Sequence, residues 1–384
     1  MNMQRLYNGA RAPTHKHFVK VATMSAKKKI AIIGTNGLPP RYGGFETLAN
    51  YLTYYLNNLF EFIVYCSKTP KNKKFKTYND AKLVYLPLKA NGWQSIIYDV
   101  LCIMHAWLFA DELLILGNSG ALILPLKFIF KKKIVVNIGG IDWARSKWNY
   151  FEKKFIKICE IICVKFSDQV ITDNKYIQLL YKKTYNCDSQ LIEYGGDQTR
   201  KIEITPKMKS KYEFLGNRYF LSVNRAQSDN NIDMLLSTFE NLPQYYLVII
   251  SNWNSTEYGR KLKREYKGKF ANLFIIDAIY ERDELDMIRS NSWVYIHSHS
   301  FCGTAPSLVE VMHLGIPIIC YGARTNIETT ENKSIYFESS IELRKIILSL
   351  NNDTLQEISY NMSEIAIRRY RWSIISKKYA EILM

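Results

Sequence analysis

Paired cysteines are missing from this chain. Its seven cysteines are odd in number and no Cys-x-x-Cys occurs, so the sequence points to neither a disulfide framework nor a zinc site. Cys159 and Cys163 lie four apart and share a helix face, as core packing requires, and a reducing cytoplasm fits this usage. An uninterrupted membrane span is also absent. The most apolar stretch, 96–116, is broken by His105, Asp111 and Glu112, and reads as a buried helix followed by a strand. Residues 1–26 are polar and basic and hold no apolar core of signal-peptide length. They read as a disordered tail, or as sequence upstream of a true start at Met24. No Gly-x-Gly-x-x-Gly turn is present, and Tyr65-Cys66-Ser67 stands where a dinucleotide fold places its acidic residue, which argues against NAD. No Asp-x-Asp or carboxylate pair closes a strand, so no metal–diphosphate site is expected.

Acidic residues are scarce in one half only. Residues 1–200 hold 29 Lys and Arg against 14 Asp and Glu, a balance of +15, whereas residues 201–384 carry 23 against 21. A lysine-rich coding bias would not favour one half. The basic half suits an anionic partner, either nucleic acid or the anionic leaflet of a membrane. No nucleic-acid-binding motif accompanies the charge, which excludes the first on present reading.

The chain, 384 residues, 47% hydrophobic and 23% charged, is globular and long enough for two domains. Apolar runs of strand length alternate with helical patterns: 30–33, 62–65, 83–86, 113–116, 134–136 and 170–171, then 219–223, 246–250, 273–276, 294–296 and 316–320. This order predicts two doubly wound α/β domains, 27–198 and 199–362, each a Rossmann-like parallel sheet, facing each other across a cleft. The polar, proline-bearing stretch 199–211 marks the break. A last helix over 363–384 is expected to return to the first domain. Ligands of such sheets sit beyond the carboxyl ends of the strands.

Two loops fit that place. Gly303-Thr-Ala-Pro-Ser-Leu-Val-Glu310 runs from a turn into a helix opened by a proline, whose missing N–H would have had no partner there. The free amides of the first turn suit a phosphate, and Glu310, one turn on, suits hydroxyls. An ordinary helix start of an α/β domain carries the same residue types. Gly34-Thr-Asn-Gly-Leu-Pro-Pro-Arg-Tyr-Gly-Gly-Phe-Glu46 leaves the first strand with glycines that admit a phosphate or sugar, or that serve the loop alone.

Together with Asn137-Ile-Gly-Gly-Ile-Asp-Trp-Ala-Arg-Ser-Lys-Trp148 and Val223-Asn-Arg225, these motifs resemble glycosyltransferase family 4, of the two-domain GT-B fold, and within it the bacterial rhamnosyltransferase-like group. The resemblance implies that Gly43, Gly44, Arg225, Asn230, His299, Gly303, Thr304, Ser307 and Glu310 hold the donor. Arg225 would neutralise the departing diphosphate. Asn137, Asp142, Trp143, Arg145, Lys147 and Trp148 would line the acceptor side, with Asp142 standing in for an aspartate that this chain replaces by Gly139. Cys302 occupies the position of a family glutamate. A lysine that usually follows the arginine is missing, and Asn230 and Asn231 stand near its place. His297 is either a donor-side residue or a structural one.

The implied activity is metal-independent transfer, with retention, of a sugar such as rhamnose from a thymidine or uridine diphosphate carrier. No cofactor is needed. The acceptor would be a lipid-linked saccharide of cell-surface polysaccharide synthesis, and the protein would lie peripherally on the inner face of the plasma membrane. A nucleotide-sugar-binding protein without turnover and a GT-B epimerase are the alternatives; the epimerase's acidic and histidine acid–base set is absent.

Overall fold

The computed structural model describes residues 26–40, 43–67, 75–145 and 148–384. All but the last residue of the expected basic tail, and the candidate acceptor residue Lys147, lie outside them. Two parallel sheets dominate. The first contains β1 (Lys28–Ile33), β2 (Phe60–Ser67), β3 (Thr77–Tyr78), β4 (Ala81–Leu86), β5 (Glu112–Leu116), β6 (Lys133–Asn137), β7 (Gln169–Thr172) and β8 (Gln190–Leu191). They are ordered β3-β4-β2-β1-β5-β6-β7-β8, and only the β3–β4 pair is antiparallel. The second contains β9 (Tyr219–Asn224), β10 (Tyr246–Ser251), β11 (Leu273–Asp277), β12 (Val294–His297), β13 (Ile318–Tyr321) and β14 (Ile335–Phe337), ordered β11-β10-β9-β12-β13-β14.

The expected two-domain α/β architecture is therefore present. Its strands read as continuous apolar runs because both faces of each sheet are covered: Ile30, Ile32, Leu114 and Val135 face one core, and Ala31, Ile33, Leu113 and Ile134 the other. β13 begins at Ile318 rather than 316, since Pro317 has no N–H for the ladder. β3, β8 and β14 span two or three residues each, too short to stand out as runs. Strand order reverses between β1 and β5 and again between β9 and β12, which puts the two switch points, where such folds bind ligands, at the mouth of the cleft.

The carboxyl terminus differs from expectation in one respect. Two helices replace the single one expected over 363–384. Asn352–Arg369 packs on helix Pro306–Leu314 of the second domain. The chain then crosses at Tyr370 and Arg371, and Trp372–Leu383 lies against helix Gly44–Leu56 of the first. The break is pinned from both sides. The Tyr370 hydroxyl donates to the carbonyl of Thr329 at 2.8 Å, while Trp372, Ile375, Tyr379 and Leu383 enter the first domain's core. Trp372 stacks on Tyr51 at 4.5 Å. Lys378 adds an ion pair to the buried Glu193 of the first domain at 2.8 Å.

Candidate functional site

The loops at the two switch points meet face to face. Gly140, after β6, lies so near Gly303 that a Cβ on Gly140 would stand 3.2 Å from the Gly303 nitrogen. Gly44 sits opposite Pro306, 3.4 Å from a hypothetical Cβ. The Gly43–Gly44 loop of one domain therefore faces the helix start of the other, the placement that the donor-side reading requires.

The turn at Gly303 is not an open seat. Thr304 is buried, and its hydroxyl donates to the backbone carbonyl of Asp173. A Cβ at Gly303 would collide with the Asp173 carboxyl group, so only glycine fits. Burial raises the Asp173 carboxyl to about 7, opposed in part by the backbone N–H of Thr304. An acidic group of the first domain thus stands at the Thr304 amide, within the turn where the resemblance expects a donor phosphate. The sequence reading missed Asp173, although an Asp-Asn pair directly after the apolar strand β7 was a visible signal.

Arg145, expected on the acceptor side, reaches across to the second domain. Its Nε donates to the buried Asp229 at 2.6 Å, and a terminal nitrogen donates to Gln227 at 2.6 Å. Asp142 stands 3.7 Å away, half exposed. Arg145 therefore spans the cleft. Removing one partner of such a buried pair leaves a stranded charge, at about 3–5 kcal/mol. Asn137, also expected on the acceptor side, is buried, donates to the Tyr379 hydroxyl at 2.6 Å and accepts from the Gly139 amide at 3.0 Å, so it braces its loop. Gly139 has φ +71, a conformation that an aspartate there would adopt only with strain. Trp143 lies beneath the Lys157 ammonium at 4.8 Å, and Trp148 is half-buried.

On the other side Arg225 is exposed where the chain leaves β9. Its carbonyl accepts from Asn230 Nδ2 at 2.7 Å and from the Gln227 N–H at 2.8 Å. Buried Asn230, expected to hold the donor, thereby shapes the loop that presents Arg225. Ser307 pairs with the buried Tyr295 phenol. Glu310 accepts from Gln198 Nε2 at 2.6 Å and pairs with Arg289 at 2.6 Å. Arg289 is itself buried and 3.5 Å from Asp286. A carboxylate offers about four acceptor positions, so Glu310 keeps capacity for hydroxyls. No sequence signal pointed to Arg289, because helix Arg282–Ser290 reads as an ordinary charged one.

His297 and His299 sit side by side, ring centroids 4.3 Å apart. Burial next to Arg145 and Arg225 pushes His299 down to about 3, and His297 is depressed by burial too. Among the described residues they form, with Cys302, the one group of metal-ligating side chains close enough to share an ion.

Comparison with known proteins divides the chain at the same place as its geometry. Residues 27–197 match the family "Domain of unknown function (DUF1972)", and residues 204–368 match "Glycosyl transferases group 1". No curated protein shows a significant match to the chain. Among solved structures, sucrose-phosphate synthase from Thermosynechococcus elongatus is 13% identical, with 93% of this chain and 98% of that one covered and a TM-score of 0.77. Anabaena HepE in complex with UDP and glucose is 14% identical, with 93% and 99% covered and a TM-score of 0.74. A glycosyltransferase from Rickettsia africae is 15% identical, with 93% and 98% covered and a TM-score of 0.66. These likenesses establish the GT-B fold.

The clasp on Asp173 has a pH signature. Its carboxyl is raised in the folded protein, so the stability it contributes is complete below about pH 4 and is lost as pH rises through about 7. Asp173→Asn is expected to make thermal stability fall less steeply over that window, measured by unfolding at a series of pH values. Asp99 and Asp286, raised to about 7 and about 6, carry the same sign and keep the remaining slope from vanishing.

Proposed function

We propose, with residues 204–368 forming the group 1 glycosyl transferase domain that they match, that this protein transfers a sugar from a nucleoside diphosphate carrier to a hydroxyl. The observation that carries this reading is the convergence on one cleft of exposed Arg225, the Gly303 turn, Glu310 and the opposing Gly43–Gly44 loop. Charge develops on the departing diphosphate in the transition state, and Arg225 is the cation presented to it. Glu310, held between Arg289 and Gln198, is preset to accept ribose hydroxyls. Donor entry displaces the Asp173 carboxyl from the Thr304 amide, one acidic group replacing another, and parts the two domains as it does so. Retention, a thymidine or uridine carrier and a sugar of the rhamnose type follow from the resemblance of the motifs. Binding without transfer is a second reading, motivated by Gly139 and Cys302 in place of family carboxylates; a transfer assay separates the two.

A lipid-linked acceptor is supported by one face of the first domain. Along helix Gln94–Phe109, Ile97, Leu101, Met104 and Leu108 are all exposed at the spacing of a single helix face. Beside them Phe128 is 67% and Ile129 71% exposed, and Phe151 at the start of helix Tyr150–Phe166 is 80% exposed. Trp107 stacks on Phe130 at 4.4 Å and Phe128 meets Phe166 at 6.2 Å, so these segments adjoin. Exposed Lys131, Lys154, Lys157 and Lys165 accompany them. Apolar side chains ringed by lysines suit an anionic membrane surface, and no helix among the described residues is long and apolar enough to cross one. Helix Tyr150–Phe166 directly follows the acceptor-side loop, which brings that loop to the bilayer.

Transfer assayed with a panel of nucleotide sugars is expected to continue in excess EDTA. Arg225→Ala should lower turnover about 100- to 1,000-fold with a smaller change in donor affinity. Glu310→Gln should weaken nucleotide binding by roughly tenfold or more in calorimetry; unchanged affinity removes it from the site. In liposome sedimentation the protein is expected to pellet with anionic vesicles, to be released by salt, and to lose binding on Phe128→Asp with Ile129→Asp.

A further inference from the structure

We propose that His297, His299 and Cys302 form a binding site for a divalent transition-metal ion of the zinc class. The inference stands on this cluster alone and not on the reading of the reaction. Two residues apart, His297 at the end of β12 and His299 just beyond it project to the same side, as strand periodicity dictates. The turn into helix Pro306–Leu314 brings Cys302 back to them. One nitrogen from each ring and the sulfur lie within 4.8 Å of one another.

The ring nitrogens are what make the cluster informative. His297 is 1% exposed, and both its Nδ1 and its Nε2 lack a hydrogen-bond partner, as does the buried Nε2 of His299. Buried polar atoms of native proteins are nearly always paired, and each one left unpaired costs about 1–3 kcal/mol. A structural histidine would show a carbonyl or hydroxyl at one nitrogen at least. The Cys302 thiol donates to Asn326 Oδ1 in a long contact of 3.6 Å, with the Thr325 side chain also against its sulfur. An ion bonded at about 2.0–2.3 Å to three such ligands brings them to within about 3.3–3.8 Å of one another. Small side-chain rotations span the difference.

The donor set selects the ion. Two imidazoles and a thiolate suit Zn²⁺ or its analogue Co²⁺, whereas Mg²⁺ and Mn²⁺ seek oxygen ligands. Binding converts the Cys302 S–H to a metal-bound thiolate and releases one proton to solvent. The surroundings tolerate the positive charge. Asp173 and Asp229 both act electrostatically on Cys302, Arg145 is neutralised by Asp229, and Arg225 is exposed to water. Three protein ligands leave a fourth position for water or an anion oxygen, next in the chain to the Gly303–Thr304 turn. Cys-x-x-Cys spacing does not reveal such a site, because the ligands belong to a His-x-His at a strand end and a cysteine beyond a bend.

The test uses full-length protein stripped with chelator and then titrated with ZnCl₂ by calorimetry and with CoCl₂ by absorption. One ion per chain is expected, and cobalt should give the thiolate-to-metal charge-transfer band of a four-coordinate site. His299→Ala and Cys302→Ser, chosen because His297 is set into the sheet, should each weaken zinc binding by about tenfold or more, and Cys302→Ser should abolish the cobalt band. Absence of the band in the unmodified chain would overturn the proposal whether or not the variants fold. Zinc affinity unchanged in both folded variants would overturn it too.

Discussion

Everything in the cleft is organised by the contact of the Gly303 turn with Asp173. It sets two sheets in register across a gap through one carboxyl group, one hydroxyl and one glycine with no room for a side chain. A second clasp, Arg145 with Asp229 and Gln227, lies alongside it. Both use groups that an anionic ligand would compete for: amides on one side, a guanidinium on the other. The arrangement also explains why residues expected to face opposite substrates are found touching each other.

Much of the fold was readable in advance because parallel strands covered on both faces must be continuously apolar, and every such run became a strand. The short edge strands and the break at Tyr370 were not readable. The edge strands are too short to show as runs, and the break depends on partners distant in sequence, Thr329 for Tyr370 and Tyr51 for Trp372. The candidate site was legible where chemistry resides in a local motif, as at Gly303 to Glu310. It was illegible where a side chain's task is decided by what the other domain brings to it. Asn137, Asn230 and Arg145 belong to recognisable motifs, yet each spends its polar atoms bracing the protein. Asp173 and Arg289 belong to no such motif and hold central positions.

The uneven charge has a structural counterpart. Lys131, Lys154, Lys157 and Lys165 border the exposed apolar side chains of helices Gln94–Phe109 and Tyr150–Phe166, while Lys82, Lys89, Lys175, Lys182 and Lys183 are exposed on other elements of the first domain. The nearly neutral second domain carries the polar machinery of the cleft. Under the proposed function, attraction to a membrane surface would fall to the first lobe and the hydroxyl-binding carboxylate to the second.

Gln198 lies in the strand-free passage between the lobes. Its side chain accepts from the Trp372 indole at 2.6 Å while donating to Glu310 at 2.6 Å. Trp372 is fixed in the first lobe and Glu310 in the second. A swing of one lobe about this passage therefore pulls on a single amide, and through it on the carboxylate aimed at the ligand. Aperture and grip are thereby coupled: opening the lobes strains or breaks the Gln198 contact and leaves Arg289, in the second lobe, to aim that carboxylate alone.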